Sequence, residues 1–593
     1  MLESVAVFAG ERLAEQANPD DASQQFLDHM TALIIGAGVE LTGMQRGQWM
    51  SVLTAEHDNI SAALELTAAD AARSPNAATR LWELVGALTF YWSTTGRFRE
   101  AREWFEEALS HDAPVASQIS GRWGAAHVAL YGGDFAFGVS AAQAALALAE
   151  QARDTVHLAR ALNSLATATL FFDRASGLSC SRQAIEAAEI AGDDWCLADA
   201  LQVAAYALAY GGDVAPAAEM LDRAHAIAER LDHPLLLAWD GIGRAFVAAF
   251  AGRITDARTI LHSARQQTAR SADPNLRMNL LVAESWISFL GGDDMSLIDR
   301  LEHGRRSCAH EGAGEAAPLL ATTEVELLAA SGQTDRATML FESTFDDLVR
   351  EMPPARSRLS NARALICLQG GDLDAAQTHS TDAVTSADGS TARAVANVLA
   401  GLVALRRGDR GSAESLTLTA LTELVEAGLI PAAIDALEVL AIVQVAKRDP
   451  IDAARLAGAA SAQRHASGIT RTGLQTATRH DIHALAAADD ADVRAAWVEG
   501  ESAPLREVIA HARRSRGAQR RATLGWAAVT PTERRVAELA ASGLSNAEIA
   551  RTLFVTTETV KTHLGHLYSK IGVPNRAALA SALHGEQPRP PMT

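Results

Sequence analysis

Lysine is nearly missing from this chain: of 593 residues only Lys447, Lys561 and Lys570 are lysine, so none precedes position 447. A phosphate loop of the form G-x-x-x-x-G-K-[ST] needs a lysine to reach the β- and γ-phosphates, and no such string occurs. The four cysteines, Cys180, Cys196, Cys308 and Cys367, lie far apart and make no ligand spacing. That excludes a disulfide framework and fits a reduced, cytoplasmic chain with buried thiols. The longest apolar stretch, near Val395 to Leu405, is interrupted by Asn397 and ends at Arg406, too short to span a bilayer. Met1-Leu-Glu-Ser lacks the positive start and apolar core of a secretory signal. No nucleophile elbow, cysteine pair or glycine-rich nucleotide loop stands out, and neither His480/His483 nor His563/His566 has an H-E-x-x-H frame or an evident third ligand. The reading is no enzyme, no cofactor, no metal and no membrane.

Alanine dominates what remains, and aromatics make up 5% of the chain. Alanine has the best helix propensity and lets helices pack closely, so the expected class is all-α. The length implies several domains or a repeat array. The formal net charge is −20, unevenly spread: His511 to His584 carry eleven Lys/Arg against four Asp/Glu, leaving −27 on the rest. A basic end on an acidic body suggests one module that meets phosphates.

From about residue 77 to 465 the chain repeats. Turn strings recur at Thr95-Gly-Arg97, Gly132-Gly-Asp134, Phe172-Asp-Arg174, Gly211-Gly-Asp213, Ala251-Gly-Arg253, Gly291-Gly-Asp293, Ser331-Gly-Gln333, Gly370-Gly-Asp372, Arg407-Gly-Asp409 and Lys447-Arg-Asp449, in steps close to 40 residues. Glycine ends one helix in the left-handed conformation and aspartate caps the next. A fixed period with two helices per unit means a helical solenoid of about nine hairpins, tetratricopeptide-like but longer per repeat. Its concave face is expected to bind a protein or small-molecule effector. Trp82, Trp92, Trp104, Trp195, Trp239 and Trp286 sit at helical spacing, as do Tyr206 and Tyr210, and read as packing rather than as a ligand cage; no effector residue follows from them.

The last sixty residues carry the sharpest pattern. Thr530 caps a helix from Pro531 to Ala541, with Glu533 at its third position, and Ser542-Gly543 stops it. Ser545 and Glu548 form a capping box on a helix from Asn546 to Leu553. Phe554-Val555-Thr556 turns into a third helix reaching Ile571, and after Gly572-Val573-Pro574-Asn575 a fourth runs from Arg576 to Leu583. In the third helix Val560, Leu564, Leu567 and Ile571 gather on one face. Glu558, Lys561, Thr562, Gly565 and Ser569 share the opposite arc, short and nearly flat.

Thr530-Pro-Thr-Glu533, Gly543-Leu-Ser-Asn-Ala-Glu-Ile-Ala550, Leu553-Phe-Val, Thr559-Val-Lys-Thr-His-Leu564, Tyr568-Ser-Lys-Ile-Gly-Val573 and Asn575-Arg-Ala resemble the LuxR-type DNA-binding domain. The resemblance covers about a tenth of the chain and departs at Val529, usually Leu, and at Gly565, where many members place a longer side chain. It implies a four-helix helix-turn-helix domain over 526–584 whose third helix enters the major groove of double-stranded DNA. Lys561, Thr562 and Gly565 take the base-reading positions; Arg551, Thr556, Thr559, Lys570 and Arg576 are candidates for phosphate, and Glu533 braces the bundle. A homodimer on paired half-sites, joined through the last helix, is implied as well.

Two further regions are similar to the large LuxR-type regulators. Leu2 to Leu13 and Trp49 to Leu64 resemble the segment that follows their ATPase module, which makes residues 1–70 a helical remnant of that region. The absent phosphate loop then reads the chain as lacking the ATPase, as a shortened member or the downstream half of a split gene. Ile451 to Ala460 and Ala495 to Gly500 resemble their last helices before the DNA-binding domain. Residues 466–525 are expected as terminal helices and a basic linker, Arg513 to Arg521, and 585–593 as a disordered tail. The reading is a sequence-specific transcription regulator. A helical scaffold without DNA specificity, or a non-catalytic subunit of a signalling ATPase, remains as the alternative.

Overall fold

A computed structural model describes residues 19–586 except 44, 133, 171–172, 270–273, 294–295, 312–316, 352–354, 520–528, 530 and 554. Every regular element among them is a helix, as the composition demands. The chain divides into two compact units, residues 1–503 and 504–593.

In the first unit, Pro19–Glu40, Arg46–Ala55 and His57–Ala71 bury Met30, Ile34, Leu41, Leu53, Ile60 and Leu64 in the core that also holds Trp82, Trp92 and Phe105. Within the region expected to be helical, the Trp49–Leu64 stretch falls on two helices that part at Glu56, and Leu2–Leu13 lies outside the described residues. Nine hairpins then follow between Val115 and Ser467, preceded by a shorter one over 75–109 whose first arm is broken at Leu88. The first arms start 35–43 residues apart, so the forty-residue period is the hairpin itself.

The two arms differ in kind. Second arms are one-sided: Phe98–Leu109 buries Ala101, Phe105 and Ala108, spaced 4 and 3 along a polar helix. First arms are covered all round; Ile430–Ala446 buries every residue from Ala433 to Gln444, because neighbouring first arms flank each other and second arms close the outside. Asp134, Asp173, Asp372, Asp409 and Asp449 accept the backbone N–H three residues on, the caps expected of the turn strings. The turn residues Gly133 and Phe172 lie outside the described set.

The array coils until distant repeats meet. Gly212 lies against Thr391 and Leu429, Gly252 against Ile430 and Ser467, and Gly292 against Thr470. The same turn therefore touches the chain roughly 180 residues later, repeat after repeat. Glycine is required twice over at Gly212 and Gly292: φ is +86° and +79°, and a Cβ would strike a threonine side chain. Thr470 and Arg471 donate backbone N–H bonds to the Leu290 carbonyl at 2.8 and 3.2 Å, and Arg174 pairs with Asp388 at 3.0 Å. Further on, Gly458 and Gly500 let Pro450–Ser467 and Ala491–Ser502 cross backbone to backbone; a Cβ at either would land on the carbonyl oxygen of Trp497 or Arg455.

The segment 468–475 that bridges the coil is held from beneath by two buried carboxylates. Asp435 accepts the Leu474 N–H at 3.2 Å; Glu438 accepts Arg464 and the Thr478 hydroxyl. One guanidinium thus faces two acids, and burial, reinforced by Glu438, raises the Asp435 pKa to about 7. Its unfolded value lies near 3.8, so the folded state holds the proton more tightly. The stability this site lends is whole below about pH 4, falls as pH rises through the interval to 7, and stays low above it. Asp435→Asn, which keeps the acceptor and removes the charge, is expected to raise thermal stability at pH 8 and flatten its decline between pH 5 and 8. Equal melting shifts at both pH values would remove the carboxylate as the cause.

The tryptophans largely pack as expected: Trp82, Trp92 and Trp195 are buried. Trp286 and Tyr206 differ, since both line a cavity taken up below. Tyr210's side chain lies outside the described set. In the second unit, the stretch expected as a flexible basic linker is helical as far as it is described, Arg513 to Gln519 closing the helix Leu505–Gln519. Alanine and arginine are good helix formers, and the preceding turns already supply the nucleus. Arg520 and Arg521 lie outside the described residues.

Candidate nucleic-acid interface

Four helices build the end of the second unit: Pro531–Ala541, Asn546–Leu553, Thr557–Ile571 and Arg576–Glu586. Val536, Ala537, Ala540, Ile549, Ala550, Val560, Leu564, Leu567 and Leu579 form their common core. The expected start of the first helix at Thr530, and the turn residue Phe554, lie outside the described set, as does the tail after Glu586.

Local chemistry sets the remaining ends. Glu548 reaches back to the Ser545 N–H at 2.7 Å while Ser545 accepts the Glu548 N–H, so the capping box is made; the Ser545 hydroxyl and then its N–H, both donating to the carboxylate, lower the Glu548 pKa. Thr556 is extended (φ −80°, ψ 155°) and accepts the Thr559 N–H at 3.1 Å. Gly572, at φ +73°, ends the third helix.

That helix turns Val560, Leu564 and Leu567 inward, which leaves Glu558, Lys561, Thr562, Gly565 and Ser569 exposed along the other side. Lys561 bridges to Glu558 at 3.0 Å, both well exposed. Such a surface pair is worth a few tenths of a kcal/mol, so a stronger acceptor can draw the ammonium away. The Thr562 hydroxyl donates to the Glu558 carbonyl, leaving its lone pairs and methyl outward. A Cβ built at Gly565 meets nothing within 4 Å, so nothing in the fold demands glycine there. Arg551 and Thr556 are exposed and Thr559 is half-buried, at the mouth of the same helix.

Lys570 and Arg576 are turned into the bundle. The Lys570 ammonium lies 2.7 and 2.9 Å from the two carboxylate oxygens of Glu533, itself 4% exposed. All three guanidinium nitrogens of Arg576 donate within the domain, to the Ala540 and Leu544 carbonyls and Asn546. These carbonyls lie at the end of the first helix and the turn after it, where backbone acceptors have no helical partner. Sequence position marked the two residues as basic but carried no sign that internal acceptors wait for them.

The family model described as "Bacterial regulatory proteins, luxR family" matches residues 527–583. Over nearly the whole chain, the "Putative HTH-type transcriptional regulator Rv0890c" of Mycobacterium tuberculosis is 28% identical across 602 residues, covering 98% of this chain and 66% of its own length. This chain therefore spans just under two thirds of that relative. The nitrate/nitrite response regulator protein NarL of Escherichia coli K12 is 41% identical over 59 residues, 10% of this chain and 27% of NarL. The CsgBAC operon transcriptional regulatory protein of the same organism is 46% identical over 55 residues, 9% of this chain and 26% of that protein. Among solved structures, a Rap protein complexed with Competence and Sporulation Factor aligns with 67% of this chain and 99% of its own, at 12% identity and a TM-score of 0.33.

Proposed function

We propose, for a chain whose residues 527–583 are a luxR-family helix-turn-helix domain, that it is a sequence-specific DNA-binding transcription regulator. The observation that carries this reading is the exposed arc of Thr557–Ile571, short and flat, on a helix whose other face is the domain core. Laid in the major groove, it offers Lys561 to guanine acceptors and the Thr562 methyl or hydroxyl to a neighbouring base. Gly565 lets the backbone come close. Arg551, Thr556 and Thr559 stand at the helix mouth for phosphates, where the helix dipole also favours an anion. Lys570 and Arg576, placed inward by their hydrogen bonds, act in this reading through the bundle they brace.

The chain works as a homodimer joined through Arg576–Glu586, one domain per half-site, and acts in the cytoplasm where the DNA is. Its helical array serves as the sensing part. Among the described residues no helix is long and apolar enough to cross a membrane.

Selection of bound sequences from random duplex DNA tests this directly. The full chain is expected to enrich a motif of two related half-sites that a chain ending at Gln519 does not. Enrichment of no motif by the full chain, with binding that only follows salt, would overturn sequence-specific regulation. Gly565→Ala adds a sharper test. Alanine in mid-helix is expected to stabilise the domain by about 0.5–1 kcal/mol, yet to weaken binding to the selected motif. Slower hydrogen exchange in Thr557–Ile571 with undiminished affinity would mean that the backbone does not approach the groove at that point.

A further inference from the structure

Inside the coil of the first unit lies a cavity of about 310 Å³. It is walled by first arms from 170 to 396, a full turn of the array, and by Leu429 beyond. Four residues one repeat apart give it its character: Tyr206, Phe246, Trp286 and Glu326 occupy the same helical position at intervals of forty residues, and all four line it. The Tyr206 hydroxyl is tied down on the Trp239 carbonyl at 2.9 Å, so its ring edge is what the cavity meets. Phe250 adds a second ring, stacked with Phe246 at 6.0 Å between centroids.

The charges at the wall cancel in pairs. Arg174 is bound to Asp388 at 3.0 Å, and Arg358 holds Glu326 in a two-pronged pair, 2.8 and 2.5 Å. A charged occupant would find no uncompensated partner among these four groups. Asn361 also lines the wall, but its Oδ1 is itself covered and out of reach of an occupant.

We infer that this cavity is a binding site for a neutral, ring-bearing, largely apolar small molecule. The volume falls at the lower end of the roughly 300–1,000 Å³ typical of small-molecule sites. The Arg174–Asp388 tie and the packing of Gly212 on Thr391 close the coil beside it, which disfavours an extended peptide threading the groove. The occupant touches repeats from both ends of one superhelical turn, so binding draws together elements far apart in sequence and gives the array a state to report. The inference deepens the reading of the array as the sensing part. Its readout is ligand binding alone, so its failure leaves the DNA-binding reading standing.

The test uses the full chain and two neutral fluorescent probes. N-phenyl-1-naphthylamine has rings and one N–H donor; Nile red has rings and no N–H. Both are expected to bind saturably at one site with blue-shifted emission. Val395→Trp fills the cavity from an exposed wall position and is expected to weaken both probes at least about tenfold. Unsaturable binding, or wild-type affinity in Val395→Trp with its helical circular dichroism intact, would overturn the site.

Discussion

Lys570→Ala is expected to destabilise the DNA-binding domain strongly rather than to loosen its grip on phosphate. Glu533 is 4% exposed and its two carboxylate oxygens both lie within 3 Å of the Lys570 ammonium. Taking away the lysine strips the buried carboxylate of the ammonium that both its oxygens hold; His566, 3.9 Å off, is charged only when protonated. Breaking a buried pair from one side costs on the order of 3–5 kcal/mol; Lys570 keeps some solvent contact, which brings the figure to about 2–4 kcal/mol. A domain of this size has roughly 5 kcal/mol in hand. Amide exchange in Pro531–Ala541 and Thr557–Ile571, followed in the full chain, is expected to quicken about 30- to 900-fold. Replacing both partners by apolar side chains, Glu533→Leu with Lys570→Met, is expected to recover most of the loss, since nothing charged then stays buried. If instead Lys570→Ala exchanges as the parent does and only lowers the salt dependence of DNA binding by about one counterion, the lysine belongs to the phosphate contacts.

The same pair shows what could be read ahead of the structure. Helix ends in the terminal domain were legible because they are written in local chemistry: Thr556 with Thr559, Ser545 with Glu548, glycine at 543 and 572. So was the forty-residue period, since each turn needs a residue with positive φ. Glycine is not obligatory there: Arg448 takes the left-handed conformation where most earlier repeats have glycine. What escaped depends on how distant pieces meet. Which face of a first arm looks inward is decided by the coiling of the whole array, so Tyr206 and Trp286 read as ordinary packing from helical spacing alone. The forty-residue ladder Tyr206, Phe246, Trp286, Glu326 was present in the sequence, and comparing equivalent positions across repeats would have found it. Arg174 with Asp388 and Thr470 with Leu290 had no local sign at all; nothing near either end calls for a partner some 200 residues away. Arg576 is the same case at shorter range, its acceptors lying thirty-odd residues back.

Lys561→Ala is expected to act in the opposite way to Lys570→Ala, leaving the fold alone and erasing preference. Its side chain is exposed, and its bridge to Glu558 contributes little, so exchange in the third helix should stay within a small factor of the parent. On the selected motif, loss of a base contact costs about 1–3 kcal/mol, roughly 5- to 150-fold in affinity. On random duplex the cost is the share of one long-range charge, which salt screens. The ratio of the two affinities is therefore the quantity to measure, at one stated salt concentration. A fall in the ratio places Lys561 at a base edge. An unchanged ratio with both affinities lowered would assign it to the backbone, and base reading would then rest on Thr562 and on the approach that Gly565 allows. Glu558→Gln separates these cases further. Freed from its surface partner, Lys561 is expected to bind all duplexes more tightly, and the motif gains more than random DNA only if the ammonium already meets a base.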